Sequence, residues 1–425
     1  MLDITFIRDN LEAVEANIRN RHMKADARSA LALADRRSQA IQKLEALRAG
    51  RNENASKMKG KLDPSLRQSL IEEGKQIKDS LVAAEAGLEA AEKDLKVELM
   101  RIPNMAHPQA PVGKEDKDNL EIKRVGQPTK LGFPALDHVQ LGEKLDIIDF
   151  DAGTKVAGTK FYFLKNEGVF LELALTRYVM DLLVKKGFTP FITPDIAKEE
   201  ILEGIGFNPR GEESNIYPLE GTGTCLVGTA EITLGGYYAD QIIDLSSGPI
   251  KMAGLSHCFR REAGAAGQFS KGLYRVHQFT KVEMFAYCRP DQSDALHEEL
   301  RAIEEEIFSG LEIPFRVVDT CTGDLGAPAY RKYDLEAWMP GRGDGEWGEV
   351  TSTSNCTDFQ ARRLGIRFKD EGGKNRPVHM LNGTAIAISR GIIAVLENFQ
   401  QADGSVRIPK NLVPYTGFDV IKPRR

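Results

Sequence analysis

Two stretches of this 425-residue chain carry charged and aromatic side chains at the spacing of strands. Ser256–Gly264 and Leu273–Phe285, joined through the loop Ala265–Gly272, read as strand, loop, strand. A period of two then sets Arg260, Glu262, Arg275, Phe279 and Glu283 on one face. Such a surface can clamp an anion beside a planar group, although an outward charged face with cross-strand ion pairs has the same pattern. In the run Gly348–Gln360, Glu349 and Ser352 offer the hard oxygen ligands that Mg²⁺ prefers, and a plain Ser/Thr-rich strand is the alternative. Between Leu381 and Asn398 a polar turn enters a strongly apolar helix. Arg390 there either snorkels to the surface or aims its fork at a bound anion, because a buried arginine without a partner is too unstable to keep. No G-x-G-x-x-G follows a strand, and there is neither a P-loop nor an H-E-x-x-H. Nucleotide phosphates would have to be met by a strand-borne arginine clamp.

The elements around these residues fall into two kinds. Phe6 is followed by no aromatic residue until Phe133, whereas the rest of the chain is rich in them. A compact core uses aromatics for bulk, so the early segment is expected to form narrow helices. Leu70, Gly74, Ile77, Leu81, Ala84, Leu88, Ala91 and Leu95 alternate three- and four-residue spacings, a heptad seam. A helix over Ser65–Leu99 would run about 50 Å. A second, over Arg28–Lys59 with Leu31, Ala34, Ile41, Leu44 and Leu47, is broken at Gly60-Lys61-Leu62-Asp63-Pro64, giving an antiparallel hairpin. Lys43, Arg48, Arg51, Lys57, Lys59 and Lys61 outnumber Glu45 and Glu53 at its tip, while Glu85–Glu98 is mainly acidic. A positive tip suits a phosphate backbone; a dimerisation coiled coil with a solvated face is the plainer reading.

A Pro-rich connector, Pro103–Pro111, marks a domain boundary, with residues 1–110 before it and 111–425 after. Beyond it helices at Leu171–Lys186, Gln292–Ser309 and Ile386–Phe399 mix with strands at Gly272–Phe279, Lys281–Ala286 and Phe315–Val318, an α+β pattern. Hydrophobic residues at 41% with 39 glycines are ordinary for a globular chain, and no apolar run is long enough for a membrane span. No export or organelle signal is visible, and five cysteines without a C-x-x-C pair suggest neither disulfides nor structural zinc, so the cytoplasm is expected. A net charge of −5 leaves nucleic-acid binding to a local basic patch.

Taken with the hairpin, the start Met1-Leu2-Asp3-Ile4, Gly228-Thr229-Ala230-Glu231, the Phe-Arg-x-Glu-Ala-Gly strand, Arg275-Val276-His277-Gln278-Phe279, the Glu349-to-Gln360 run and the motif ending in Arg390 closely resemble a bacterial-type seryl-tRNA synthetase, a class II enzyme. The resemblance covers essentially the whole chain. It implies a homodimer on an antiparallel sheet with motif 1 around Gly187–Pro194, and ATP-dependent formation of seryl-adenylate followed by transfer to tRNA(Ser), extending to tRNA(Sec). By resemblance, Arg260 holds the α-phosphate and serine carboxylate, Glu262 reads adenine, Phe279 and Arg390 sandwich it, and Arg275 meets the β/γ end. Arg261, Val276, Val350 and Thr351 complete the ATP site, with Mg²⁺ on Glu349 and Ser352. Serine falls to Thr229, Ala230, Glu231, Glu283, Asn382 and Thr384, and the tRNA arm to Arg48, Arg51 and Lys57. His257, Cys258 and His277 are read as structural.

Some positions depart from the family. Gln268-Phe269-Ser270-Lys271 replaces the Arg-Asp-Thr-Arg frequent in the motif 2 loop, which bears on contacts to the tRNA acceptor end. Thr351 stands where serine is frequent, and Ala385 where glycine often follows, expected to narrow a turn. The competing function is a synthetase-like paralogue that activates serine for a non-tRNA acceptor or only binds. The positive arm and the retained arginines oppose it.

Overall fold

The structure, a computed structural model, describes residues 1–208, 215–262 and 271–424. It divides into two compact units, Met1–Met105 and Ala106–Arg425. In the first, α1 (Ala27–Lys57) and α2 (Pro64–Arg101) form the expected hairpin. At 1.5 Å per residue they run about 47 and 57 Å. Asp26 accepts the Arg28 and Ser29 amides at the start of α1. Asp63 accepts the Ser65 amide and Pro64 opens α2, so the segment that breaks one helix caps the next.

Leu44, Leu81 and Ala84 are buried in the seam, with Leu47, Ile77 and Leu88 against them. Towards the tip the seam turns polar: Asn54, buried, donates to the Leu70 carbonyl (3.1 Å) and to Glu73 (3.0 Å). A Cβ on Gly74 would lie 3.2 Å from Asn54 Oδ1, so glycine makes room for the amide. A buried seam asparagine fixes register, because any slip orphans its hydrogen bonds. Ion pairs cross the hairpin at Arg48–Glu85 (3.2 Å) and Arg37–Glu92 (2.9 Å).

The second unit is built on an eight-stranded sheet. Its strands are β1 (Leu120–Val125), β2 (Thr189–Ile192), β3 (Ile250–Phe259), β4 (Gln278–Cys288), β5 (Phe315–Asp319), β6 (Arg331–Met339), β7 (Glu346–Asn355) and β8 (His379–Ala387). They lie in the order β1-β5-β6-β7-β8-β4-β3-β2, antiparallel throughout except for β2 beside β3. Helices α3 (Glu167–Lys185), α5 (Ser293–Gly310) and α6 (Ile388–Phe399) bury one sheet face through Leu171, Leu300, Ile307 and Ile392. Helix α4 (Ala230–Gly236) lies with Phe285, Tyr287 and Met380 in a second core.

Strand β4 shows why. Val282, Met284, Ala286 and Cys288 belong to the large core, while Phe285 and Tyr287 enter the second. Phe279, Lys281 and Glu283 continue that second face, where its side chains turn charged. A Cβ on Gly254 of β3, paired with Glu283, would come within 2.8 Å of Leu234 and 3.0 Å of Ala230. Glycine lets α4 lie directly on the sheet there.

Three local expectations are corrected. Gly272–Phe279 is not one strand: Gly272–Tyr274 forms a 3₁₀ turn and β4 begins at Gln278. The Gly272 backbone takes φ +56°, and the Leu273 amide bonds His138 Nε2 (3.2 Å), which pulls Leu273 into the core. Arg275 therefore lies outside the pleat. Arg260 and Glu262 fall beyond the end of β3, with Glu262 at φ +48°, so parity does not place them either. The segment from Leu381 is strand rather than turn, and α6 starts at Ile388 rather than Ile386 because Ala387 still pairs with Lys281. Among the described residues no helix is long and apolar enough to cross a membrane.

His297 in α5 is buried, stacked on Tyr333 at 4.9 Å, and its Nε2–H donates to the Thr353 carbonyl at 3.1 Å. Burial pushes its pKa down to about 4, against the pull of that carbonyl and Glu298. The folded state refuses a proton that the unfolded chain takes at its ordinary value of 6.5. Its contribution is thus full above pH 6.5 and is lost as pH falls to about 4, on the order of 3 kcal/mol in all. We expect the thermal midpoint to fall between pH 7 and 4.5, and His297→Gln to flatten that fall while lowering the midpoint at pH 7. A variant with an undiminished slope would assign the acid loss to other groups.

Candidate active site

The cleft opens where β4, β7 and β8 present polar residues on the face away from α5, and its volume is about 240 Å³. Phe279 and Lys281 come from β4, Arg260 and Glu262 from the segment after β3, and Tyr274, Arg275 and Val276 from the turn that leads into β4. Glu349, Val350, Thr351 and Ser352 come from β7. Thr384, Ala387 and Arg390 are delivered by β8 and the first turn of α6.

Glu349 and Ser352 are three residues apart, which in a regular strand puts them on opposite faces. The β6–β7 ladder pairs Glu336 with Glu349 and Leu335 with Thr351, leaving Val350 as a bulge residue that returns both oxygen donors to one face. Strand β8 repeats the device. Glu283 pairs with Thr384 and Val282 with Ile386, so Ala385 is the extra residue and Thr384 and Ala387 both line the cleft. Ala385 is therefore buried within a strand and narrows no turn, contrary to the expectation.

Arg260 is held although it has left the strand: its amide bonds the His277 carbonyl (3.0 Å) and its carbonyl meets His277 Nδ1 (2.8 Å). Its guanidinium lies 5.4 Å from the Phe279 ring centroid and donates to the Gly228 carbonyl at 3.3 Å. Arg275 pairs with Glu262 at 3.3 Å. Arg390 pairs with the Glu349 carboxylate (3.1 Å), donates to its carbonyl (2.9 Å) and stacks on Tyr274 at 4.7 Å. The desolvating cleft wall opposes charge on Glu349, but Arg390, Lys332 and Arg260 outweigh it and hold the carboxyl below its usual range. Arg260, Arg275 and Arg390, lining one cleft with the Phe279 ring, make an anion site with a flat platform.

Beside it Thr229 caps α4, accepting the Glu231 amide (3.2 Å) and donating to Glu283 (3.3 Å). Glu231 Oε1 accepts from Gln360 (2.8 Å) and Asn382 (2.9 Å). Burial, then the nearby Glu283, pushes the Glu231 carboxyl up to about 7. Ala230 is buried in the first turn of α4. Arg261 is exposed and does not line the cleft; its amide bonds the Asn215 carbonyl. Gln268–Ser270 lie outside the described residues, and Lys271 forms an ion pair with Asp137. His257 pairs with Asp195 and Cys258 is buried against Ser256.

Four participants are not among the residues that the sequence singles out for the site. Lys281 stands between Phe279 and Glu283 at the same parity, and that spacing alone marks it for the cleft. Tyr274 and Gln360 are seen only through tertiary contact. Lys332 reaches Asp334 at 3.5 Å, and Asp334 pairs across the ladder with Ser352. Among the described residues no three His, Cys, Asp or Glu side chains are grouped to hold a metal ion, and the five cysteines are buried and unbridged.

The seryl-tRNA synthetase N-terminal domain matches residues 1–106, and the tRNA synthetase class II core domain (G, H, P, S and T) matches residues 220–399. The serine–tRNA ligase of Treponema denticola is 69% identical over 421 residues, 99% of this chain and 100% of that protein. The Treponema pallidum ligase is 57% identical over 424 residues, spanning 100% of both. The structure of seryl-tRNA synthetase from Pyrococcus horikoshii complexed with ATP superposes with a TM-score of 0.91 at 41% identity, covering 100% of each chain. On these grounds the chain belongs to the seryl-tRNA synthetase family of class II aminoacyl-tRNA synthetases.

Proposed function

We propose that this serine–tRNA ligase forms seryl-adenylate in the 240 Å³ cleft and then passes the seryl group to tRNA(Ser). The observation that carries the reading is the convergence of Arg260, Arg275 and Arg390 with Phe279 on one face. Arg260 takes the α-phosphate and the serine carboxylate, where a bidentate fork matches two oxygens at once. Phe279 offers its ring to adenine with Arg390 opposite, Glu262 accepts the adenine amino group, and Arg275 leaves Glu262 for the β/γ-phosphates. Val276, Val350 and Thr351 frame the nucleotide. Catalysis on this reading is positioning of an in-line attack with charge stabilisation at the α-phosphate.

Glu349 and Ser352 fit Mg²⁺ by chemistry, since both are hard oxygen donors and the Val350 bulge turns both into the cleft. Bound there, the ion would draw charge from the phosphates. The serine amino group goes to Glu231 and Glu283, and its hydroxyl to Thr384, with Thr229, Ala230 and Asn382 shaping the pocket. Support for a homodimer comes from apolar exposure: Ile192 on the sheet-edge strand β2 is 84% exposed, and Phe170 and Leu173 of α3 are exposed too. That exposure supports an interface at the Gly187–Pro194 segment. The hairpin serves tRNA, and tRNA(Sec) charging follows if the same arm features are read.

Arg260→Ala is expected to lower serine-dependent ATP–pyrophosphate exchange by at least about a hundredfold with the fold intact. Glu349→Ala should lose the same activity and regain part of it at high Mg²⁺. Near-wild-type exchange by Arg260→Ala would remove it from the site.

At the arm tip Arg48 and Lys57 already pair with Glu85 and Glu53. Neutralising Arg48, Arg51 and Lys57 singly should weaken tRNA binding and lower its salt slope by about 0.7–0.9 for each phosphate left without its cation, with exchange in the absence of tRNA unchanged. Unchanged slopes for all three would make the tip a solvated face.

A further inference from the structure

Lys281 is the buried cation that no motif singles out. Its side chain is 6% exposed, and its ammonium meets Glu283 Oε2 at 2.5 Å and Thr384 Oγ1 at 3.3 Å. An ammonium has three donors and no acceptor, so each of its bonds has a fixed direction. Thr384 accepts from Lys281, and its own proton is then free to go to Glu283 Oε2, 3.4 Å away. Thr229 accepts from the Glu231 amide and likewise donates to Glu283 Oε2 at 3.3 Å. Three donors thus converge on one carboxylate oxygen, while Gln360 and Asn382 both donate to Glu231 Oε1. Among the described residues, none of these bonds reaches Glu283 Oε1 or Glu231 Oε2.

We infer that Lys281 is a positioning and specificity-determining residue: by donating to Thr384 and Glu283 it turns the Thr384 hydroxyl proton towards Glu283, so that Thr384 Oγ1 meets a ligand hydroxyl as an acceptor. This rests on the reading that the pocket takes serine. A ligand hydroxyl must then give its proton to Thr384 Oγ1, and a ligand ammonium finds its acceptors in Glu283 Oε1 and Glu231 Oε2. Without Lys281 the Thr384 hydroxyl is free to turn and offer its own proton, and Glu283 loses the cation that fixes its rotamer. Alanine, which brings no hydroxyl proton, is penalised only while that acceptor stays oriented and unmet.

The test is pyrophosphate exchange on the full-length protein with serine and with alanine, comparing wild type, Lys281→Met and Lys281→Gln, together with ATP affinity by equilibrium binding. The ratio of kcat/KM for serine over alanine does not depend on the fraction of molecules folded. Lys281→Met should lower that ratio by about tenfold to a hundredfold, chiefly through the KM for serine, with ATP affinity within about twofold of wild type. Lys281→Gln keeps an N–H that reaches towards Thr384 and should recover part of the ratio. The inference is overturned if the ratio is unchanged in Lys281→Met, or if ATP affinity falls while the ratio holds, which would make Lys281 a phosphate ligand like its neighbours in the cleft. Absence of serine-dependent exchange in the wild type would instead overturn the function proposed above.

Discussion

Side-chain parity in an antiparallel sheet is the constraint on which this site hangs. A regular strand can show one face only every second residue. The cleft nevertheless needs Glu349 with Ser352, and Thr384 with Ala387, each pair three apart. Val350 and Ala385 absorb the extra step as bulges, and both are buried and apolar. A bulge also raises local twist. Two of them in adjacent strands curve the sheet where the ligand would lie.

The sheet alone does not hold the arginines. Arg260, Glu262 and Arg275 lie outside the ladders, and their places come from His277, whose backbone and ring grip Arg260, and from the turn anchored by Leu273 on His138. His138 is in turn bonded to Glu397 of α6 at 2.9 Å. The arginine end of the cleft is thus tied to the large core through a chain of buried polar contacts. Such contacts are exacting, because a buried group that loses its partner pays its full desolvation.

Legibility in the sequence followed the range of the interactions. The hairpin is readable because its seam is local and repeats: Leu44, Leu81 and Ala84 are buried where the heptads put them. Asn54 is not, since its meaning depends on Gly74 and Leu70 across the hairpin. The α+β class and most helices of the second unit follow from composition and periodicity, and the central strand β4 from its alternation. Reading Gly272–Phe279 as strand failed because Leu273 answers to His138, 135 positions away. Neither bulge has a sequence signature, as an unpaired Val or Ala is indistinguishable from its strand neighbours. Lys281 was within reach of parity, whereas Gln360 and Tyr274 join the cluster only through tertiary packing.

Strand β8 passes into α6 without a connecting loop: Ala387 is both the last ladder residue and the helix cap. Thr384 and Arg390 therefore sit on one continuous stiff element whose two halves obey different periodicities. Adding or deleting a single residue between them would invert the strand pleat on one side or rotate the helix by about 100° on the other. The Ala385 bulge is already spent on bringing Thr384 and Ala387 to one face, and a further change of length would undo it. The six-residue interval is a spacer of set length, so divergence at this junction can proceed by substitution but not by insertion or deletion.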